Sequence, residues 1–215
     1  MKAIILAGGL GLRLRPLTEN IPKVLVSYKG KPIAQYQVEY LASYGVKEII
    51  FACGYRWEKI KEFFNDGSKF GVDIFYSVEE EKLGTGGAIK KAMVNFPSEE
   101  YLVFNGDIIT NLDLNDFIKS HEEKKVEVTM LLVPLPCPYG IVEVSEDGLV
   151  TEFKEKPKLP HWINGGLYFL KSSIMEKLPD KGDIEKETFP KVRIHGYRFN
   201  GYWKAIDTIK DLLEE

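Results

Sequence analysis

Three glycines, an arginine and a lysine near the start of the chain have the spacing of a polyphosphate cradle: Gly8, Gly9 and Gly11, then Arg13, then Lys23 ten positions on. Glycines let a backbone turn sharply and leave its N–H groups uncovered, so an anion can come close. A guanidinium adds a planar fork for phosphate, and an ammonium adds a point charge. Two known phosphate loops are excluded by spacing. The GxxxxGK[ST] loop needs a lysine that does not follow these glycines, and GxGxxG needs a third glycine where Leu14 stands. That missing glycine also disfavours a dinucleotide-dependent redox module. The plain alternative is a strand ending in a Gly-rich corner.

Two further stretches carry chemistry. Glu79-Glu80-Glu81-Lys82-Leu83 leads into Gly84-Thr85-Gly86-Gly87-Ala88, a second Gly-rich turn that opens a helix. Unblocked N–H groups at a positive helix end suit an anion or a polar ligand edge. Asn105-Gly106-Asp107 follows a fully apolar run, Tyr101 to Phe104. A carboxylate there sits where Mg²⁺ would be held through one or two oxygens and substrate phosphates. A charged loop and a simple turn are the structural alternatives.

The elements that must position these residues alternate between strand and helix. Apolar runs at Ala3–Leu6, Glu48–Ala52, Val72–Val78 and Tyr101–Phe104 read as strands. Ile33–Tyr44, Trp57–Asn65, Ile89–Asn95 and Leu114–Lys125 read as helices, with Gly45 stopping the first. Such alternation predicts an α/β fold with a mostly parallel sheet, whose ligands bind beyond the carboxyl ends of the strands. After Val133 the pattern changes. Pro134, Pro136 and Pro138 predict a loop, Glu146-Asp147-Gly148 a hairpin turn, and the segment around His161 and Trp162 a Pro-rich turn. This later part predicts a small antiparallel lobe, and a terminal helix runs to about Leu213. His121, among charged neighbours, reads as solvated.

Composition bounds the function. The 215 residues are 44% hydrophobic and 28% charged, ordinary for a globular domain with ample core. A net charge of −3 offers no basic field for a nucleic acid polymer or an anionic membrane. No apolar run approaches the ~18 residues of a membrane span, and no signal peptide precedes the first strand. The two cysteines, Cys53 and Cys137, fit neither CxxC nor a zinc spacing and read as reduced packing residues of a cytoplasmic protein.

In sequence order, LAGGLGLRLRPLT with PKVL, LGTGGA, NGD, YGIVE, FKEKP, NGGLY and YWKAIDT resemble the sugar-nucleotide pyrophosphorylases, the nucleoside-triphosphate:sugar-1-phosphate nucleotidyltransferases. The resemblance covers nearly the whole chain. It implies a single Rossmann-like nucleotidyltransferase domain over residues 1–215: a mostly parallel mixed sheet flanked by helices, with a small antiparallel lobe. Residues 1–133 would bind nucleotide, and residues 134–215 the sugar phosphate. It also implies a transferase that joins a nucleoside triphosphate to a sugar 1-phosphate and releases pyrophosphate, with Mg²⁺ as cofactor and a possible homo-oligomer.

Residue by residue, the resemblance makes Arg13, Lys23 and Asp107 catalytic, and Asp107 with Asp207 the metal ligands. Leu6, Ala7, Gly8, Gly9 and Gly11 would line the nucleoside and its phosphates. Glu79 would read the base edge, assisted by backbone at Gly84 and Gly87. Gly140, Glu155 and Asn164 would contact sugar hydroxyls and Lys156 the sugar phosphate. One residue departs from the family pattern GxGTRL: Leu12 stands in place of the threonine, which removes a hydroxyl. That departure leaves open a catalytically weak regulatory homologue.

Glu79 followed by LGTGGA resembles guanylyltransferases acting on mannose 1-phosphate or heptose 1-phosphate. A carboxylate can accept from the N1–H and 2-amino group of guanine, a pair that uracil and thymine lack. GTP with mannose 1-phosphate is therefore the expected pair. Cys53-Gly54-Tyr55 and Ile206-Asp207-Thr208 instead resemble glucose-1-phosphate cytidylyl- and thymidylyltransferases, so glucose 1-phosphate with UTP or dTTP is the alternative.

Overall fold

A computed structural model describes residues 1–213. Strand β1 (Lys2–Ala7) runs into the glycine loop, and a two-residue hairpin, β2 (Ser27–Tyr28) and β3 (Lys31–Pro32), leads to helix α1 (Ile33–Ser43). Three strand–helix units follow: β4 (Glu48–Cys53) with α2 (Trp57–Phe64), β5 (Asp73–Val78) with α3 (Gly84–Asn95), and β6 (Glu100–Asn105) with the short β7 (Ile108–Thr110) and α4 (Leu114–Lys124). The remainder comprises β8 (Val128–Pro136), the hairpin β9 (Ile141–Val144) and β10 (Val150–Lys154), then β11 (Lys158–Lys171). Helix α5 (Ile184–Glu187), β12 (Ile194–Arg198), β13 (Trp203–Ala205) and α6 (Ile209–Leu213) close the chain.

Seven strands form one sheet in the order β12-β8-β11-β6-β1-β4-β5. Only β11 runs against the others: it pairs antiparallel with both β6 and β8, while β1, β4, β5 and β6 are mutually parallel, as are β8 and β12. The alternation of side chains along a strand divides the core into two layers. Ile5, Phe51 and Phe104 face α1, α2 and α4, whereas Ile4, Ile50 and Val103 face α3 and the Ile174 region. Local chemistry sets the ends. Asp113 caps α4 by accepting from the N–H groups of Asn115 and Asp116, and Gly45 adopts a left-handed φ of 79° just past α1.

The antiparallel lobe is smaller than the sequence predicts. It consists of the β9–β10 hairpin, because β8, β11 and β12 join the central sheet. The expected loop at Pro134–Pro136 is the end of β8, and the expected Pro-rich turn at His161–Trp162 is the first half of β11. Pro160 is accommodated because the β11–β8 register breaks between Lys158 and Trp162, where a missing N–H costs no ladder bond.

His121 also differs from expectation. It is fully buried: Nδ1 lies 2.8 Å from Thr129 Oγ1 and the ring packs on Phe169. Burial, helped by the Lys171 charge, pushes its pKa down to about 4. Cys53 is buried, its thiol pushed up to about 12 by burial, while Cys137 is partly exposed; both are free thiols. Among the described residues no helix is long and apolar enough to cross a membrane.

Candidate active site

Two adjoining cavities lie beyond the carboxyl ends of β1, β5 and β6. The first, of about 390 Å³, is bounded by Gly11, Leu12, Arg13, Lys23, Asp107 and Asp207. The second, of about 330 Å³, is bounded by Gly8, Glu79, Lys82, Gly84, Thr85 and Asp183. Leu6, Gly9, Gly106 and Asp107 line both, and Ala7 lines the first. One ligand could therefore occupy both spaces with its charged end on the Arg13 side.

The first cavity is organised by a chain of ion pairs. Lys23 Nζ donates to Asp107 Oδ2 at 2.6 Å and to Asp207 Oδ1 at 2.7 Å, and Arg13 Nη2 donates to the same Asp207 oxygen at 2.7 Å. Lys23 is the sheltered member, with 15% of its side chain exposed, whereas Arg13 projects into solvent at 69%. The exposed Arg13 gains little from its carboxylate in water.

Backbone geometry brings the two distant aspartates together. Strand β13 pairs with β7 so that Ala205 lies opposite Ile108, and the Ile206 N–H donates to the Asp107 carbonyl at 2.8 Å. Asp207 is then fixed by a capping box that opens α6: Asp211 accepts from the Asp207 and Thr208 N–H groups and from the Thr208 hydroxyl. The Thr208-Ile-Lys-Asp211 spacing is readable in sequence, and its role as the support of Asp207 is the part that sequence reading missed. On the other side, Gly11 takes a left-handed φ of 59° and turns the chain into a short 3₁₀ segment over Leu12–Leu14. The Thr18 hydroxyl anchors the loop by donating to the Gly11 carbonyl at 2.7 Å. Leu12 lies 57% exposed on the cavity wall.

In the second cavity Glu79 is half-buried. Its Oε2 accepts from the Leu83 N–H at 2.9 Å, and burial raises its pKa against that bond. Gly8 lies so close that a methyl group on it would come within 2.6 Å of Glu79 Oε1. Asn105 adds a buried side-chain amide oxygen, Oδ1, with no partner among the described residues.

The start of α3 is less open than the sequence predicts. The helix begins at Gly84, five residues before the expected Ile89, so the Gly-rich turn is its first turn. Gly182 clasps it: the Gly182 carbonyl accepts from the Gly86 and Gly87 N–H groups, and its own N–H donates to Leu83 O. A Cβ at Gly87 would meet the Asp180 carbonyl at 2.5 Å. Gly87 thus packs on the 180–182 turn with its N–H bonded to the Gly182 carbonyl, while Gly84 lies on the cavity wall. The clasp continues through Thr85, which accepts from the Ile184 N–H and donates to Glu185 at 2.6 Å. Asp183, Lys82 and Thr85 are cavity residues that sequence reading did not single out.

The four residues expected at the sugar stand apart from both cavities. Gly140, Glu155 and Lys156 gather at the foot of the β9–β10 hairpin, where Glu155 and Lys156 form an exposed pair at 3.8 Å and a Cβ at Gly140 would lie 3.1 Å from Glu155 Oε2. Asn164, on β11, donates to the Tyr168 hydroxyl at 2.7 Å and accepts from the Gly166 N–H at 2.9 Å. Burial raises the Tyr168 phenol, with the Glu185 and Asp107 carboxylates adding to the effect.

A mostly parallel sheet thus carries, after its first strand, a glycine loop that faces paired cations and carboxylates. The sequence profile of the nucleotidyl transferase family matches residues 2–215, and the chain belongs to that family. The mannose-1-phosphate guanylyltransferase catalytic subunit beta of Drosophila pseudoobscura pseudoobscura is 36% identical over 224 residues, covering 99% of this chain and 60% of that protein. Mannose-1-phosphate guanyltransferase of Schizosaccharomyces pombe is 37% identical over 227 residues, covering 99% of this chain and 62% of that protein. The chain therefore spans about three-fifths of the length of these relatives. Among solved structures, HddC from Yersinia pseudotuberculosis complexed with GMP-PN superposes with a TM-score of 0.78 at 31% identity, covering 99% of this chain and 96% of that one. A putative glucose-1-phosphate thymidylyltransferase from Bacillus anthracis has the same fold, with a TM-score of 0.78 at 23% identity and coverage of 99% and 92%.

Proposed function

We propose that the chain transfers guanylyl from GTP to mannose 1-phosphate, giving GDP-mannose and pyrophosphate. The observation that carries the reading is the placement of Glu79: a half-buried carboxylate on the wall of the second cavity, one cavity away from Arg13 and Lys23. Guanine offers an N1–H and an amino group side by side, and a carboxylate is the acceptor that takes both. The names of the relatives and the guanine nucleotide analogue bound to HddC support the base; the names of the relatives support the sugar. The thymidylyltransferase likeness is one of fold alone.

In this reading Leu6, Ala7, Gly8 and Gly9 hold the nucleoside beside Glu79 and Gly84, and the triphosphate extends over Gly11 towards Arg13. A phosphate oxygen of the sugar phosphate attacks the α-phosphorus of GTP, the α–β bridge bond breaks, and pyrophosphate leaves in line. No protein nucleophile is required, so the chain contributes position and charge. Arg13 takes charge developing on pyrophosphate, and Lys23 holds the α-phosphate and the incoming phosphate. Gly140, Glu155 and Asn164 meet the sugar hydroxyls and Lys156 its phosphate, so residues 1–133 bind nucleotide and residues 134–215 bind sugar phosphate.

Asp107 and Asp207 fit a divalent cation. Their oxygens converge on one ammonium. Two hard oxygen ligands completed by phosphate and water suit Mg²⁺. Bound there, Mg²⁺ would supply charge neutralisation for the phosphates. Binding would also release Lys23 from its two carboxylates towards phosphate.

The test is pyrophosphate release with GTP, ATP, CTP, UTP and dTTP crossed with mannose, glucose and heptose 1-phosphates. Turnover confined to GTP and mannose 1-phosphate is the expected result. A preference for UTP or dTTP with glucose 1-phosphate would overturn the base and sugar assignments while retaining the class.

A further inference from the structure

Helix α1 buries a polar side chain among apolar ones. Its buried residues are Ile33, Ala34, Val38, Leu41 and Gln37, the last only 3% exposed. A buried amide is costly unless its groups are bonded, so its partners show what it holds. Both partners are backbone carbonyls: Gln37 Nε2 donates to Asn105 O at 2.8 Å and to Ile108 O at 2.9 Å. An oxygen cannot donate to a carbonyl, so only the nitrogen end of the amide can face this pair. The other end, Oε1, is buried with no partner among the described residues. An apolar side chain would avoid that cost and would leave the two carbonyls without this donor.

The two carbonyls belong to the last residue of β6 and the first of β7, and between them lies Gly106-Asp107. We infer that Gln37 is a positioning residue for the Asp107 carboxylate, acting through the backbone on either side of it. Two further contacts hold the same segment from other directions. The Gly106 N–H donates to Leu6 O at 3.0 Å, an approach so close that a Cβ there would lie 2.3 Å from that oxygen. The Asp107 carbonyl accepts from the Ile206 N–H at 2.8 Å. Those bonds tie the middle of the segment to β1 and to the residue after β13, and the Gln37 amide ties its two ends to α1. Gln37 lines neither cavity, so it reaches the chemistry only by setting where Asp107 points. A displacement of about 1 Å in a group that must meet a phosphate or its cation is enough to cost roughly 100-fold in rate. The inference rests on the proposed role of Asp107 in nucleotidyl transfer.

Gln37→Met, which keeps the length and the helix propensity but has no donor, tests it. With GTP and mannose 1-phosphate, kcat should fall roughly 10- to 100-fold. The Mg²⁺ concentration for half-maximal rate should rise roughly tenfold, and the KM for GTP should stay unchanged. Amide hydrogen exchange, followed by NMR without nucleotide or metal, reads the clamp apart from turnover. The Gly106 and Ile206 amides should exchange roughly tenfold faster in the variant, while Val103 in β6 keeps its parent rate. A loss of kcat with exchange unchanged overturns the route through the backbone. Faster exchange with kcat and Mg²⁺ dependence unchanged makes Gln37 a packing residue only and overturns the inference equally. If the variant does not fold, the parent decides: its Gly106 and Ile206 amides should be as protected as Val103, and ready exchange refutes the clamp. A parent chain that turns over no nucleotide with any sugar phosphate refutes the proposed function instead, and the exchange comparison still decides the clamp.

Discussion

Gly8→Ala separates recognition of the base from stability of the fold. The added methyl would lie 2.6 Å from Glu79 Oε1, whereas ordinary contact begins at 3.4 Å, so the carboxylate must retreat by about 0.8 Å. The atom that moves is the far end of a flexible side chain, and backbone is not displaced. Stability should therefore change by less than about 1 kcal/mol. The same retreat loosens the 2.9 Å bond from Leu83 N–H and removes the acceptor proposed to read guanine. A hydrogen bond to a charged group is worth about 1.5–3 kcal/mol, which corresponds to a loss of roughly 10- to 100-fold in kcat/KM for GTP. Pyrophosphate release measured with GTP and ATP in parallel, beside a thermal melt, reads both quantities. An unchanged GTP kcat/KM with an unchanged GTP-to-ATP ratio would refute the role of Glu79. A collapse in melting temperature would refute the reasoning about which atom yields.

Three other perturbations probe separate features. Asp107→Asn should lower kcat at least roughly 100-fold at saturating Mg²⁺ while Lys23 keeps its bond to Asp207 and the fold survives; full turnover would remove Asp107 from the phosphate site. Leu12→Thr places a hydroxyl on the wall of the first cavity and should raise turnover a few-fold; no change would mean that the neighbouring Arg13 and Lys23 already suffice. His121 titrates at about 4 in the fold against 6.5 when unfolded, so its contribution is complete above the unfolded value and is lost as pH falls towards the folded one. At about pH 5 the loss is about 2 kcal/mol relative to about pH 7.5. Urea midpoints should show that slope in the parent chain and lose it in His121→Gln; an equal slope in both would assign the acid sensitivity to other groups.

The parallel half of the sheet and its helices are legible because their signals are local. Apolar runs and glycine stops bound β1, β4, α1 and α2 to within a residue or two. The glycine cradle and the carboxylate after β6 are equally local, which is why Arg13, Lys23 and Asp107 can be named from spacing. What eludes sequence depends on contacts between distant segments. Strand β11 inserts between β6 and β8, so a proline-punctuated stretch that resembles a turn becomes strand. The Gly87 N–H looks free until Gly182 arrives to accept it. His121 looks solvated from its own helix, and only Thr129 and Phe169, on other elements, enclose it. Asp207 is brought beside Asp107 through the β13–β7 ladder, a pairing that the family resemblance implied and spacing could not supply.

That ladder also has a consequence in time. Lys23 and Asp207 are 184 positions apart, and at the ~5–20 residues per second of synthesis about ten to forty seconds separate them. Strands β1, β4, β5 and β6 are all made before residue 106. The nascent chain can thus shape its glycine loop early, with Lys23 facing Asp107 alone. The second carboxylate arrives only after β13 is laid down, so the charge centre is completed later than the parallel half of the sheet.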